Sequence, residues 1–106
     1  MDVQLKRGLL DVAVLSAARR GETYGYKIIK DLAPDLVLTE STLYTILKRL
    51  ETAGLLTVRT AEHGGRLRKY YHITDIGRKR IEEFKEEWEE IMSIYRFVIK
   101  EENANE

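Results

Sequence analysis

Six apolar side chains, Ile81, Phe84, Trp88, Ile91, Tyr95 and Val98, recur at alternating spacings of three and four near the end of this 106-residue chain. That rhythm puts them on one line of an α-helix, the heptad seam of a coiled coil. Thr74 is a good N-cap, so the pattern predicts a helix from Asp75 to about Glu101, followed by a short polar tail, residues 102–106, read as disordered. A narrow apolar line on a polar helix needs another helix to cover it, and a second copy of the same chain can supply one.

The first helical stretch strengthens that expectation. From Leu5 to Arg19 the apolar residues Leu5, Leu9, Leu10, Val12, Ala13, Val14, Leu15, Ala17 and Ala18 cover nearly the whole helix circumference. Such a helix is buried on most sides, and in so small a protein part of the cover is expected from the partner. Leu9 and Leu10 therefore join the six seam residues as expected dimer-interface positions.

Between these helices lie three shorter elements. Gly21 breaks the first helix, and Thr23 is read as the cap of a second, with Tyr24, Ile28, Ile29 and Leu32 at helical spacing before Pro34 ends it. Thr39 caps a third from Glu40 to about Ala53, whose Leu43, Ile46, Leu47 and Leu50 share one face, with Gly54 as its left-handed stop. Two β-type runs, Leu55 to Glu62 and Leu67 to Ile73, flank His63-Gly64-Gly65-Arg66, the mark of a hairpin with a glycine turn. Tyr71, in step with Ile73, is expected in the core and Tyr70 on the other face. The fold class is α+β and mostly helical, a short second helix and a capped third forming a helix-turn-helix.

Several function classes drop out on inventory. With 43% hydrophobic and 34% charged residues the chain is too apolar to be disordered, and no uncharged stretch exceeds seven residues, too short to span a membrane. The N-terminus lacks the layout of a secretory signal, so the chain is expected in the cytoplasm. It has no Cys and two isolated His, which argues against disulfides and structural metals. No nucleophile–base pair, phosphate-cradling loop or ligand cluster suggests an enzyme, and no cofactor is expected.

The zero net charge, 18 basic against 18 acidic residues, hides a dipole. Residues 1–80 carry 15 Lys/Arg and 9 Asp/Glu, whereas residues 81–106 carry 3 and 9. Within 59–80, Arg59, Arg66, Arg68, Lys69, Arg78, Lys79 and Arg80 face only Glu62 and Asp75. Such a cluster suits a polyanion, and charge alone leaves open a hairpin that is merely basic and solvated. The acidic last helix is most simply a soluble face, which also keeps that end away from a polyanion.

A helix fits the major groove of DNA and reads base edges with short polar side chains on its first turns. Ser41, Thr42, Tyr44, Thr45 and Lys48 meet that need. Tyr44 is read as a sugar or phosphate contact in preference to simple edge packing, and Lys48 as a phosphate anchor. Arg49 lies off that face and is expected to pair with Glu51 or Glu22.

The run Glu40-Ser41-Thr42-Leu43-Tyr44-Thr45-Ile46-Leu47-Lys48-Arg49-Leu50-Glu51, then Gly54-Leu55-Leu56, then Gly64-Gly65-Arg66-Leu67-Arg68-Lys69-Tyr70-Tyr71-His72-Ile73-Thr74-Asp75-Ile76-Gly77, resembles the PadR-type winged-helix transcriptional regulators of bacteria. The likeness extends upstream through Tyr24-Gly25-Tyr26-Lys27-Ile28-Ile29. It implies a winged helix-turn-helix DNA-binding domain over residues 1–74 and a dimerisation helix over 75–101, the short, single-helix branch of that family. It further implies a homodimeric repressor on a two-fold symmetric operator in double-stranded DNA, with the last helix packed on the partner's first. The DNA-binding residues it implies are Glu40, Ser41, Thr42, Tyr44, Thr45 and Lys48 on the helix and Gly64, Gly65, Arg66, Arg68 and Lys69 on the hairpin wing. Leu67 stands where relatives often have Pro. Some relatives hold flat aromatic compounds against a Trp at the position of Trp88, which leaves two readings of Trp88, a contact to an aromatic effector or dimer packing alone. A different class of function, a protein-interaction module whose basic hairpin meets an acidic protein partner, is weighed against DNA binding; the joint presence of polar helix and basic wing favours DNA.

Overall fold

The computed structural model describes residues 1–104 and contains four helices and one hairpin, in the order α1 (Val3–Ala17), α2 (Gly25–Leu32), α3 (Glu40–Thr52), β1 (Leu56–His63), β2 (Arg66–Ile73) and α4 (Asp75–Ala104). Several boundaries have a local cause. The Asp2 carboxylate accepts the Leu5 amide at 2.9 Å, and Thr39 Oγ1 accepts the Thr42 amide at 3.2 Å, each satisfying a free donor at a helix start. Gly54, at φ +81, supplies the left-handed residue that ends the α3 turn. Gly64 and Gly65, at φ +58 and +79, form a two-residue turn whose twist matches the strands, so His63 and Arg66 pair directly; β1 is shifted one residue toward the turn from its expected span, and β2 gains Arg66 at its start.

Thr23 is a correction. It does not cap α2: Tyr24 occupies the cap position without a side-chain bond, and Thr23 is buried with its backbone paired to Tyr71. The Thr23 amide donates to the Tyr71 carbonyl at 3.0 Å and the Tyr71 amide returns the bond at 2.8 Å. The segment before α2 thus adds a one-residue bridge to the outer edge of β2, which holds this threonine back from the helix start.

The core gathers Val12, Val14 and Leu15 from α1, Ile28 from α2, the α3 face Leu43, Ile46, Leu47 and Leu50, Leu56, Tyr71 and Ile73 from the hairpin base, and Ile81 from α4. Thr74 fastens α4 to this body: its hydroxyl donates to the Gly54 carbonyl at 2.8 Å and accepts the Gly77 amide at 3.1 Å. The boundary expected after residue 74 therefore falls inside one packed body. Ile81 is corrected as an interface residue, because at 4% exposure it has almost no surface left to give a partner. Leu10 and Phe84 likewise pack partly on their own chain's core.

Beyond that anchorage α4 runs out from the body, giving the molecule a long dimension of 66 Å against 26 and 23 Å. The helix also continues through residues 102–104, which the sequence reading assigned to a disordered tail; residues 105 and 106 of that tail lie outside the described residues. Among the described residues no helix is long and apolar enough to cross a membrane.

Candidate nucleic-acid interface

With Leu43, Ile46, Leu47 and Leu50 turned into the core, α3 presents the rest of its circumference to solvent. At 100° per residue, Ser41, Thr45 and Lys48 occupy the middle of that face, Tyr44 flanks it on one side and Thr42 and Arg49 on the other. Glu40, Ser41, Thr42, Tyr44, Thr45 and Lys48 are all exposed. Two hydroxyls are already engaged locally: Thr45 Oγ1 donates to the Ser41 carbonyl at 2.9 Å, and Thr42 Oγ1 accepts from Thr39 Oγ1 at 2.9 Å. Among the described residues the Ser41 and Lys48 side chains have no polar partner, and they stand at the centre of the face.

Tyr44 packs at the edge of the helix-turn-helix and keeps part of its surface open to solvent. It is 49% exposed, yet its ring lies over Gly25 at the start of α2, where an added Cβ would come within 2.8 Å of the phenol oxygen. A side chain at position 25 would push this tyrosine ring from its present seat. Tyr24, Gly25, Tyr26 and Tyr44 on one side and Leu67, Arg68 and Lys69 on the other line a groove between the helix-turn-helix and the hairpin, and none of these residues is acidic.

On the hairpin, Gly64 and Gly65 form the exposed tip, and Arg66 and Lys69 are solvent-exposed. Arg68 is half-buried, its guanidinium carbon 3.8 Å from the centre of the Tyr24 ring. Arg59 lies over the Tyr70 ring at 4.7 Å and grips the Glu22 carboxylate through two nitrogens at 2.6 and 2.5 Å. That grip holds the Glu22 carboxyl below the usual carboxylate range and raises Arg59. As expected, Tyr71 is in the core, and burial pushes its phenol up.

The fold splits the basic run 59–80. Arg66, Arg68 and Lys69 go to the hairpin, whereas Arg78 and Lys79 sit beside Arg19 at the junction of α1 and α4. Arg80 faces Glu87 at 3.5 Å. Arg49 pairs with Asp11 of α1, not with Glu51 or Glu22, because the register of α3 against α1 brings that distant carboxylate alongside. Sequence reasoning missed Lys6 and Arg7, which with Thr42, Thr45 and Arg49 line a hollow between the start of α1 and α3. Nothing in their local spacing distinguishes them; only the crossing of α1 and α3 brings them to this face.

At the other end, Gln4, Leu5, Gly8 and Leu9 of α1 and Arg80, Phe84, Glu87, Trp88 and Ile91 of α4 enclose a groove of about 170 Å³. The Phe84 and Trp88 rings stack there at 6.0 Å and 26°. Trp88, Ile91, Tyr95 and Val98 are exposed in the single chain, and so are Ile94 and Phe97, which lie off the seam. The apolar face of α4 is therefore broader than six seam positions.

Residues 14–83 match the transcriptional regulator PadR-like family. The negative transcriptional regulator PadR of Bacillus subtilis is 32% identical over 81 residues, 72% of this chain and 44% of that protein, so the chain spans less than half of this relative. The crystal structure of a PadR family transcriptional regulator from Eggerthella lenta superposes with a TM-score of 0.80 at 34% identity, covering 92% of this chain and 87% of that one. Bacillus subtilis PadR in complex with operator DNA superposes with a TM-score of 0.67 at 30% identity, covering 72% and 46%. The polar third helix, the hairpin beside it and the long last helix are thus the parts of a winged helix-turn-helix, and the chain belongs to the PadR-like family of transcriptional regulators.

Proposed function

We propose that the protein is a homodimeric repressor that inserts α3 of each subunit into successive major grooves of a two-fold symmetric operator. Ser41, Thr42, Thr45 and Lys48, with Glu40 at the first turn, meet base edges and nearby phosphates, and Tyr44 meets the adjoining backbone. The Gly64–Gly65 tip lets the wing come close, so that Arg66, Arg68 and Lys69 neutralise flanking phosphates. The observation that carries this reading is the pairing of an exposed polar face on α3 with a groove lined by cations and no carboxylate, beside a wing on which Arg66, Arg68 and Lys69 outnumber the one carboxylate of Glu62. The Bacillus subtilis relative solved with operator DNA supports it. Acting on the chromosome, such a protein works in the cytoplasm.

The dimer is proposed from the exposed apolar face of α4, with Trp88, Ile91, Tyr95 and Val98 at its centre and Leu9 and Phe84 at its edge. The stacked Phe84–Trp88 pair beside an open groove also suits a flat aromatic effector, whose insertion would shift the angle between subunits and release DNA. Selection of duplexes from a randomised pool by the purified protein tests the reading. The expected result is an inverted repeat with half-sites about one helical turn, or a multiple of it, apart, bound with steep salt dependence. A pool that yields no enriched duplex even at low salt refutes it. The single Trp gives the effector its own assay, quenching of its fluorescence by a planar aromatic compound.

A further inference from the structure

The wing is long for its anchorage. Strands of eight residues reach about 26 Å, yet only Leu56, Tyr71 and Ile73 at the base are buried. A two-stranded ribbon of that length bends readily unless something holds its free half.

One face of the hairpin carries such a hold. The rung between Thr23 and Tyr71 lays residues 22–24 along the edge of β2, so Glu22 and Tyr24 point to the same face as Arg68 and Tyr70. There Glu22 grips Arg59 through two of its guanidinium nitrogens, Nε and Nη2, and Arg59 lies on Tyr70. Tyr70 meets the Tyr24 ring edge-on at 6.0 Å, and the Arg68 guanidinium carbon lies over Tyr24, 3.8 Å from the ring centre. A guanidinium stacked on a ring keeps its in-plane donors free, and Arg68 makes no ion pair among the described residues.

We propose that this ladder, Glu22–Arg59–Tyr70–Tyr24–Arg68, braces the wing against the turn between α1 and α2 and aims the Arg68 donors at a phosphate, with Glu22 and Arg59 as positioning residues. The proposal rests on the DNA-binding reading above for its target, though not for the brace itself. It reverses the sign expected from charge alone: Glu22 is a carboxylate near a polyanion site, so its removal should tighten binding by electrostatics, whereas loss of the brace weakens it.

The test uses the full chain and the duplex selected from the randomised pool, with Glu22→Ala, Arg59→Lys and Arg68→Gln compared with the parent. In Glu22→Ala, hydrogen exchange of the hairpin amides is expected to speed up about threefold while the buried helices keep their protection, in line with the small worth of an exposed pair. Its DNA affinity falls by about threefold with the salt slope unchanged, because no phosphate contact is lost, and Arg68→Gln lowers the slope by about one. Arg59→Lys keeps the charge and loses the fork, so it follows Glu22→Ala. Unchanged hairpin exchange in both Glu22→Ala and Arg59→Lys, or tighter DNA binding by Glu22→Ala, overturns the brace. A parent protein that binds no duplex refutes the DNA reading instead, and the exchange measurement, made without DNA, still decides the brace.

Discussion

Gly77→Ala offers a sharp test of how α4 is set on the body, because two effects of opposite sign compete there. Replacing a helical glycine by alanine ordinarily stabilises by about 0.5–1 kcal/mol. At this position the new methyl would fall inside the contact radius of the Leu55 carbonyl oxygen and only 2.7 Å from Ile73 Cγ1. The Leu55 carbonyl has little freedom to yield, since it accepts the Thr74 amide at 3.1 Å in the joint that starts α4. Overpacking of this kind costs about 1–3 kcal/mol, and loss of that hydrogen bond adds about 1 kcal/mol. Steric cost outweighs the propensity gain, and the net expectation is a destabilisation of about 1–3 kcal/mol. In urea unfolding at fixed protein concentration the midpoint should fall by on the order of 1 M with the slope unchanged. An alanine variant as stable as its parent, or more so, would refute the claim that glycine is required at this joint.

Other predictions follow from the remaining parts of the structure. Leu47→Ala, at a fully buried position of α3, should cost about 2–5 kcal/mol in the same unfolding assay; a loss under 1 kcal/mol would contradict its place in the core. Lys48→Ala and Arg66→Ala should each weaken binding to the selected duplex by about 1–3 kcal/mol and reduce the salt slope by about one, read by anisotropy titration. Trp88→Ala should weaken self-association by about 2 kcal/mol or more in sedimentation experiments, as expected of a central aromatic anchor. The Glu22 carboxyl is held down by Arg59, so the pair stabilises the folded wing above the unfolded-state carboxyl pKa and is lost as pH falls through the lowered folded value. Hairpin amide exchange, corrected for its intrinsic pH dependence, should therefore lose protection on acidification in the parent, and Glu22→Gln should flatten that response.

Local physics was enough to read most elements from the chain. The Thr39 cap, the spacing of Leu43, Ile46, Leu47 and Leu50, the Gly54 stop and the paired glycines of the hairpin each depend on residues a few positions apart, so their effects survive without the rest of the fold. The polar face of α3 was legible for the same reason: once the buried face is known, helical geometry places Ser41, Thr45 and Lys48 opposite it. The same rule misjudged Thr23, because a good capping residue also pairs well at a strand edge, and only the approach of Tyr71 chose between them.

Whatever depended on how elements cross was decided by tertiary structure. Periodicity correctly placed Ile81 on the apolar line of α4, but whether that line faces its own chain or a partner depends on where α4 docks. The docking through Thr74 and Gly77 buries Ile81 and leaves Trp88 onward exposed. Likewise, charge counting found the basic residues 59–80 together, while the turn into α4 carried Arg78 and Lys79 to one side and left Arg66, Arg68 and Lys69 on the wing. Sequence alone determined which helices and turns form, because those rest on contacts within a few residues; the fold decided which cations, rings and apolar faces meet, because those contacts join positions tens of residues apart.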